Sequence, residues 1–90
     1  MAKKAKGETM ESEIVVYGTA WCGACRLVKR VLGEAGRNYE WIDIDKNPKA
    51  AERVIELNAG LRSVPTIVFP DGQVLVEPRR HELLAALNRN

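Results

Sequence analysis

Residues 13–25 read Glu13-Ile14-Val15-Val16-Tyr17-Gly18-Thr19-Ala20-Trp21-Cys22-Gly23-Ala24-Cys25. Glu13 to Tyr17 is a β-rich apolar run and Gly18-Thr19-Ala20 closes it. Cys25, Val28, Val31, Leu32 and Ala35 then recur at helical spacing as far as Gly36, a residue suited to stopping a helix. Both cysteines of the chain lie in this stretch, separated by two residues, where a predicted strand turns into a predicted helix. Cys22 falls at or just before the helix N-terminus, where unpaired backbone N–H groups and the positive end of the macrodipole favour a thiolate over a thiol. Cys25 lies one turn further on, on the apolar face, where it is expected to be more buried and to keep its proton until Cys22 has formed a mixed disulfide. The expected roles follow: Cys22 attacks and Cys25 resolves.

Two other readings of the cysteine pair are weak. A permanent bridge closing so small a loop removes little unfolded-chain entropy, is geometrically tight and is easily reduced. A zinc site needs four ligands, and beyond the pair only His81 remains, so two chains would have to share it. Composition points the same way. Ninety residues suit one domain near the size at which a single core becomes marginal. A net charge of +2, with acids and bases interleaved, gives no reason to invoke nucleic acid. Met1 to Gly7 is basic but lacks the apolar stretch of a secretory signal, and no run approaches membrane-spanning length. Residues 1–12 are read as a flexible basic tail and residues 13–90 as one domain. Two cysteines confined to one motif suit a reducing cytoplasm, and a monomer is expected.

Beyond the motif, strand and helix alternate. Tyr39 to Ile44 alternates apolar and polar residues at period two, as a half-covered strand should. Asn47 can cap a helix that Pro48 opens, with Ala51, Val54, Ile55 and Asn58 following before Gly60. Thr66 to Phe69 is a short strand, Pro70-Asp71-Gly72-Gln73 a turn, and Val74-Leu75-Val76 a returning strand; Leu83, Leu84 and Leu87 mark a helix over roughly 79–88. A βαβ unit followed by a hairpin and a helix predicts an α/β architecture, a four-stranded mixed sheet with helices on both faces.

The residues Val16-Tyr17-Gly18-Thr19, Trp21-Cys22-Gly23-Ala24-Cys25, Ile42-Asp43-Ile44-Asp45 and Ser63-Val64-Pro65-Thr66 together resemble the thioredoxin superfold in its smallest, glutaredoxin-like form, over about residues 13–88. That resemblance implies a cis-proline at Pro65 beside the cysteines, with the Val64 backbone hydrogen-bonding a bound thiol substrate. Only twelve mostly polar residues precede Glu13, so the additional N-terminal strand and helix of full-length thioredoxins are not expected. Val16 stands where thioredoxins place a buried aspartate that takes the proton of the resolving thiol. Gln73 to Arg80 departs from the Gly-Gly pair and nearby acid of glutathione-dependent glutaredoxins. The Trp-Cys-Gly-x-Cys motif, the Val-Pro-Thr and the Pro-Asp-Gly turn most resemble mycoredoxins, which use mycothiol in place of glutathione.

The resemblance implies a thiol–disulfide oxidoreductase that reduces mixed disulfides between proteins and a low-molecular-weight thiol, mycothiol or glutathione, through Cys22, with no metal or bound cofactor. The alternative is a thioredoxin-like dithiol reductant of protein disulfides, driven by a flavoprotein reductase. A redox-silent adaptor is disfavoured by the intact cysteine pair. Substrate contacts are expected from Tyr17, Trp21, Gly23, Ala24, Arg62, Val64 and Pro65. Arg26, Lys29 and Arg30 are read as a solvated helix face, Asp43 and Asp45 as solvent-facing or strand-end residues, and His81 as a surface residue.

Overall fold

The computed structural model describes residues 13–90, so the expected N-terminal tail lies outside the described residues. The elements run β1 (Ile14–Gly18), α1 (Gly23–Glu34), β2 (Tyr39–Asp43), α2 (Pro48–Leu57), β3 (Thr66–Val68), β4 (Val74–Val76) and α3 (Arg80–Arg89). They form one four-stranded sheet of order β2-β1-β3-β4. β1 and β2 are parallel, as the α1 crossover requires, while β3 pairs antiparallel with both β1 and β4.

Side chains alternate across β1, so the sheet serves two cores. On one face Ile14, Val16, Ile67 and Phe69 pack with Val28, Val31 and Leu32 of α1 and Leu83, Ala86 and Leu87 of α3. On the other, Ile44 packs with Ala50 and Val54 of α2, and Tyr17, Ile42 and Val64 close over them. Helices therefore cover both faces, as the order of elements predicted.

Local signals set the helix ends. Asn47 Oδ1 accepts the Ala50 N–H at 3.1 Å, and Pro48 occupies the first turn of α2. Gly36 takes φ +70 past the end of α1, and the Arg37 N–H returns to the Leu32 carbonyl at 3.0 Å. Three expectations shift. Ala35 is the exposed C-cap of α1 and not part of its apolar stripe. In α3, Leu84 is 39% exposed while Ala86 is fully buried, because the buried arc follows Leu83, Ala86 and Leu87. β2 is half-buried at every position, with Tyr39 and Trp41 on the first core and Ile42 on the second, because it is an edge strand partly covered on both faces.

Candidate active site

The motif lies on the loop from β1 into α1. Cys22 is the N-cap of α1, with extended backbone (φ −88, ψ 117), and its Sγ accepts the Cys25 N–H at 3.0 Å. A sulfur in the N-cap position satisfies one of the donors that the first helical turn leaves unpaired. Cys25 lies in that first turn, on the buried face. The two thiols are free and unequal: Cys22 is 8% exposed and Cys25 1%. Burial, followed by the hydrogen bond with Cys22, pushes the Cys25 thiol up to about 12, against a smaller opposing effect of a backbone hydrogen bond from Thr19. Gly23 and Ala24, the first residues of α1, are exposed beside Cys22.

The proline loop lies beside the end of β1 that leads into the motif, since Tyr17 pairs with Thr66. The Val64–Pro65 peptide is cis, Pro65 is buried and Val64 half-buried. This loop is pinned by its neighbours. The Thr66 hydroxyl donates to the Ser63 carbonyl at 2.8 Å and accepts from Asn58 Nδ2 at 3.0 Å, and the Pro65 carbonyl accepts the Glu77 N–H at 2.8 Å. Among the described residues neither the N–H nor the carbonyl of Val64 has a hydrogen-bond partner.

Trp21 projects from the motif and is 68% exposed. Its indole N–H donates to Asp45 Oδ2 at 3.0 Å, and Arg62, two residues before Val64, pairs with Asp45 Oδ1 at 2.6 Å. These donors, Arg62 first and Trp21 second, hold the Asp45 carboxyl below the usual carboxylate range. Of the expected contact residues, Trp21, Gly23, Ala24, Arg62, Val64 and Pro65 thus flank Cys22 or the proline loop. Tyr17 lies further in, half-buried on the α2 face. A groove of about 350 Å³ between β4 and α3, lined by residues that include Val74, Val76, Pro78, Glu82 and Arg89, contains none of them.

Four residues that were not predicted as site residues belong to this region. A Cβ on Gly18 would lie 2.6 Å from Cys25 Sγ and 2.5 Å from Trp41, so Gly18 is the gap that lets the Cys25 thiol and the Trp41 ring approach the end of β1. Trp41 carries Lys29 Nζ 4.1 Å from its ring centroid. Thr19 is buried, and its hydroxyl has no partner among the described residues. Asp45 ties the motif to the proline loop. Gly18 and Thr19 adjoin the motif in sequence, but their packing carries no local signature; Trp41 and Asp45 arrive only through the parallel pairing of β1 with β2, which sets Val16 against Trp41 and Gly18 against Asp43.

A helix-capping cysteine, a buried partner one turn on and a cis-proline at the start of the strand that pairs with β1, on this sheet, define a thioredoxin-fold dithiol protein. The glutaredoxin family model matches residues 14–75. Mycoredoxin 1 of Corynebacterium glutamicum is 36% identical over 76 residues, 84% of this chain and 94% of that protein. A Mycobacterium tuberculosis (strain H37Rv) protein, whose name provisionally assigns it to the glutaredoxins, is 40% identical over 74 residues, 82% of this chain and 88% of that protein. The crystal structure of a glutaredoxin from Archaeoglobus fulgidus superposes with a TM-score of 0.74 at 25% identity, covering 100% of both chains. The chain belongs to the glutaredoxin family, and it is a thiol–disulfide oxidoreductase. No helix among the described residues is long and apolar enough to cross a membrane.

Proposed function

We propose that Cys22 alone performs the exchange with a low-molecular-weight thiol, that this thiol is mycothiol, and that Cys25 serves substrates requiring two thiols. The observation that carries the reading is the inequality of the two sulfurs. Cys22 Sγ caps the first turn of α1, whereas the Cys25 thiol is buried and holds its proton to about 12. The Cys22 thiolate attacks the small-thiol sulfur of a protein mixed disulfide, and the protein thiolate leaves and takes up a proton. A second molecule of the small thiol, as its thiolate, attacks the Cys22 mixed disulfide. That step releases the small-thiol disulfide and restores the Cys22 thiolate. Each turnover consumes one free molecule of the small thiol, whose sulfur joins the one taken from the mixed disulfide, and its proton ends on the released protein thiol.

The unpartnered N–H and carbonyl of Val64 support a substrate backbone pairing there in extended form, with Trp21, Gly23 and Ala24 as the opposing surface. Mycothiol is favoured by the motif's resemblance to mycoredoxins and by the 36% identity with Mycoredoxin 1. The valine at position 16 supports the same cycle, because it leaves Cys25 without a carboxylate neighbour in the core. The test is turnover of a mycothiol mixed disulfide, with glutathione in parallel, by the native chain and by Cys25→Ser. Sustained turnover by the variant with mycothiol is the expected result. Turnover that vanishes in the variant, while the native dithiol reduces only protein disulfides, overturns it.

A further inference from the structure

The proposed small thiol exchanges at Cys22, and Asp45 joins the residue before that cysteine to the loop that leads into Val64. Trp21 adjoins Cys22 in the chain, Arg62 precedes Val64 by two residues, and Asp45 holds both side chains, one on each carboxylate oxygen, at 3.0 and 2.6 Å. Arg62 and Asp45 are both partly exposed, at 43% and 41% of their side chains, so an incoming ligand meets the pair itself. We propose that Asp45 is a specificity-determining residue: by engaging Arg62 it withholds that guanidinium from a substrate carboxylate, and so biases exchange toward low-molecular-weight thiols that carry no carboxylate.

The physical basis is competition between like charges. A ligand carboxylate that reaches Arg62 must displace Asp45 or share the guanidinium with it, placing two anions at one cation. An uncharged ligand makes no such demand and still meets the exposed face of Trp21, which the indole hydrogen bond keeps oriented. Lys29 is engaged over Trp41, so the cation most readily freed at this rim is Arg62. Arg26, exposed on α1, is common to every variant below and cancels in the comparison. This inference rests on the reading of Cys22 as a small-thiol enzyme.

The test uses two thiols that differ only in the group of interest, N-acetylcysteine with its carboxylate and N-acetylcysteinamide with a neutral amide, each as reductant of one mixed-disulfide substrate. The quantity read is the ratio of kcat/KM for the anionic thiol to that for the neutral one. A ratio taken within one variant is insensitive to partial loss of folded protein. Asp45→Asn keeps an oxygen for the Trp21 indole and removes the charge. It should raise the ratio about 2- to 5-fold, as expected of one partly exposed ion pair. The gain should vanish near about 0.5 M salt, where such attraction is screened, and should be absent from Asp45→Asn combined with Arg62→Gln. A ratio unchanged in Asp45→Asn, or raised equally in the double variant, overturns the proposal. Failure of both thiols to regenerate a native chain that mycothiol does regenerate overturns this inference alone, and failure of all three overturns the small-thiol reading as well.

Discussion

Gly18→Ala tests whether the Cys25 thiol is seated by the strand beneath it. The added Cβ would lie 2.5 and 2.8 Å from two carbons of Trp41 and 2.6 Å from Cys25 Sγ. Carbon contacts settle near 3.5–4.0 Å, so about 1 Å of movement is needed. None of the partners moves cheaply. Trp41 belongs to β2, which pairs with β1 along its whole length, Cys25 is in the first turn of α1, and the Gly18 carbonyl accepts the Ile44 N–H at 2.9 Å. Overpacking of this kind costs about 1–3 kcal/mol. At roughly 4–8 °C per kcal/mol for a domain this small, the reduced protein should melt about 5–20 °C lower. The displacement should also slow closure of the Cys22–Cys25 bond, which needs the two Cβ atoms within about 4.5 Å. Two assays read this: thermal unfolding of the reduced protein, and the rate of intramolecular oxidation by a small-molecule disulfide. Gly33→Ala supplies the control. Its Cβ would meet nothing within 4 Å inside α1, so the same change should stabilise by about 0.5–1 kcal/mol. A Gly18→Ala protein that melts with the native chain and oxidises at the native rate would refute the account of Gly18 as the gap that seats Cys25.

Alkaline stability should carry the mark of Cys25. Its thiol is raised from 9.0 to about 12, so above pH 9 the unfolded chain releases a proton that the folded chain retains. Stability is therefore intact below pH 9 and falls by about 1.4 kcal/mol per pH unit as pH rises toward 12. Urea midpoints of the reduced protein at pH 8 to 11, compared with Cys25→Ala, should diverge with that slope, and parallel curves would remove the basis for a proton held by burial. Asn47→Ala removes the cap on α2 and should cost about 1 kcal/mol in chemical denaturation, with thiol turnover unchanged well below the melting temperature.

Much of this molecule was legible along the chain because the relevant signals are short-range. A β-branched run, a motif at its end and a 3.6-residue apolar period place Cys22 at a helix start from neighbouring residues alone, and Asn47-Pro48 and Gly36 mark helix ends by their own backbone chemistry. The contents of the site were less legible. Leu84 and Ala86 exchange places in the core because hydropathy marks Leu84 as apolar, whereas the face of α3 that packs on the first core carries Leu83, Ala86 and Leu87. Asp45 reads as a solvent-facing acid because its partners, Trp21 and Arg62, lie 24 and 17 positions away. Local signals along the chain set the order of elements and the strand-to-helix seat of the thiol pair, and the proline loop was implied by the resemblance to the glutaredoxin-like form. That Gly18 lies under Cys25, and that one carboxylate holds both Trp21 of the motif and Arg62 before the proline loop, came from the tertiary fold alone. Those contacts exist only once β1 and β2 pair in register and α1 folds over them, and no local preference of the chain encodes which distant side chains that pairing brings together.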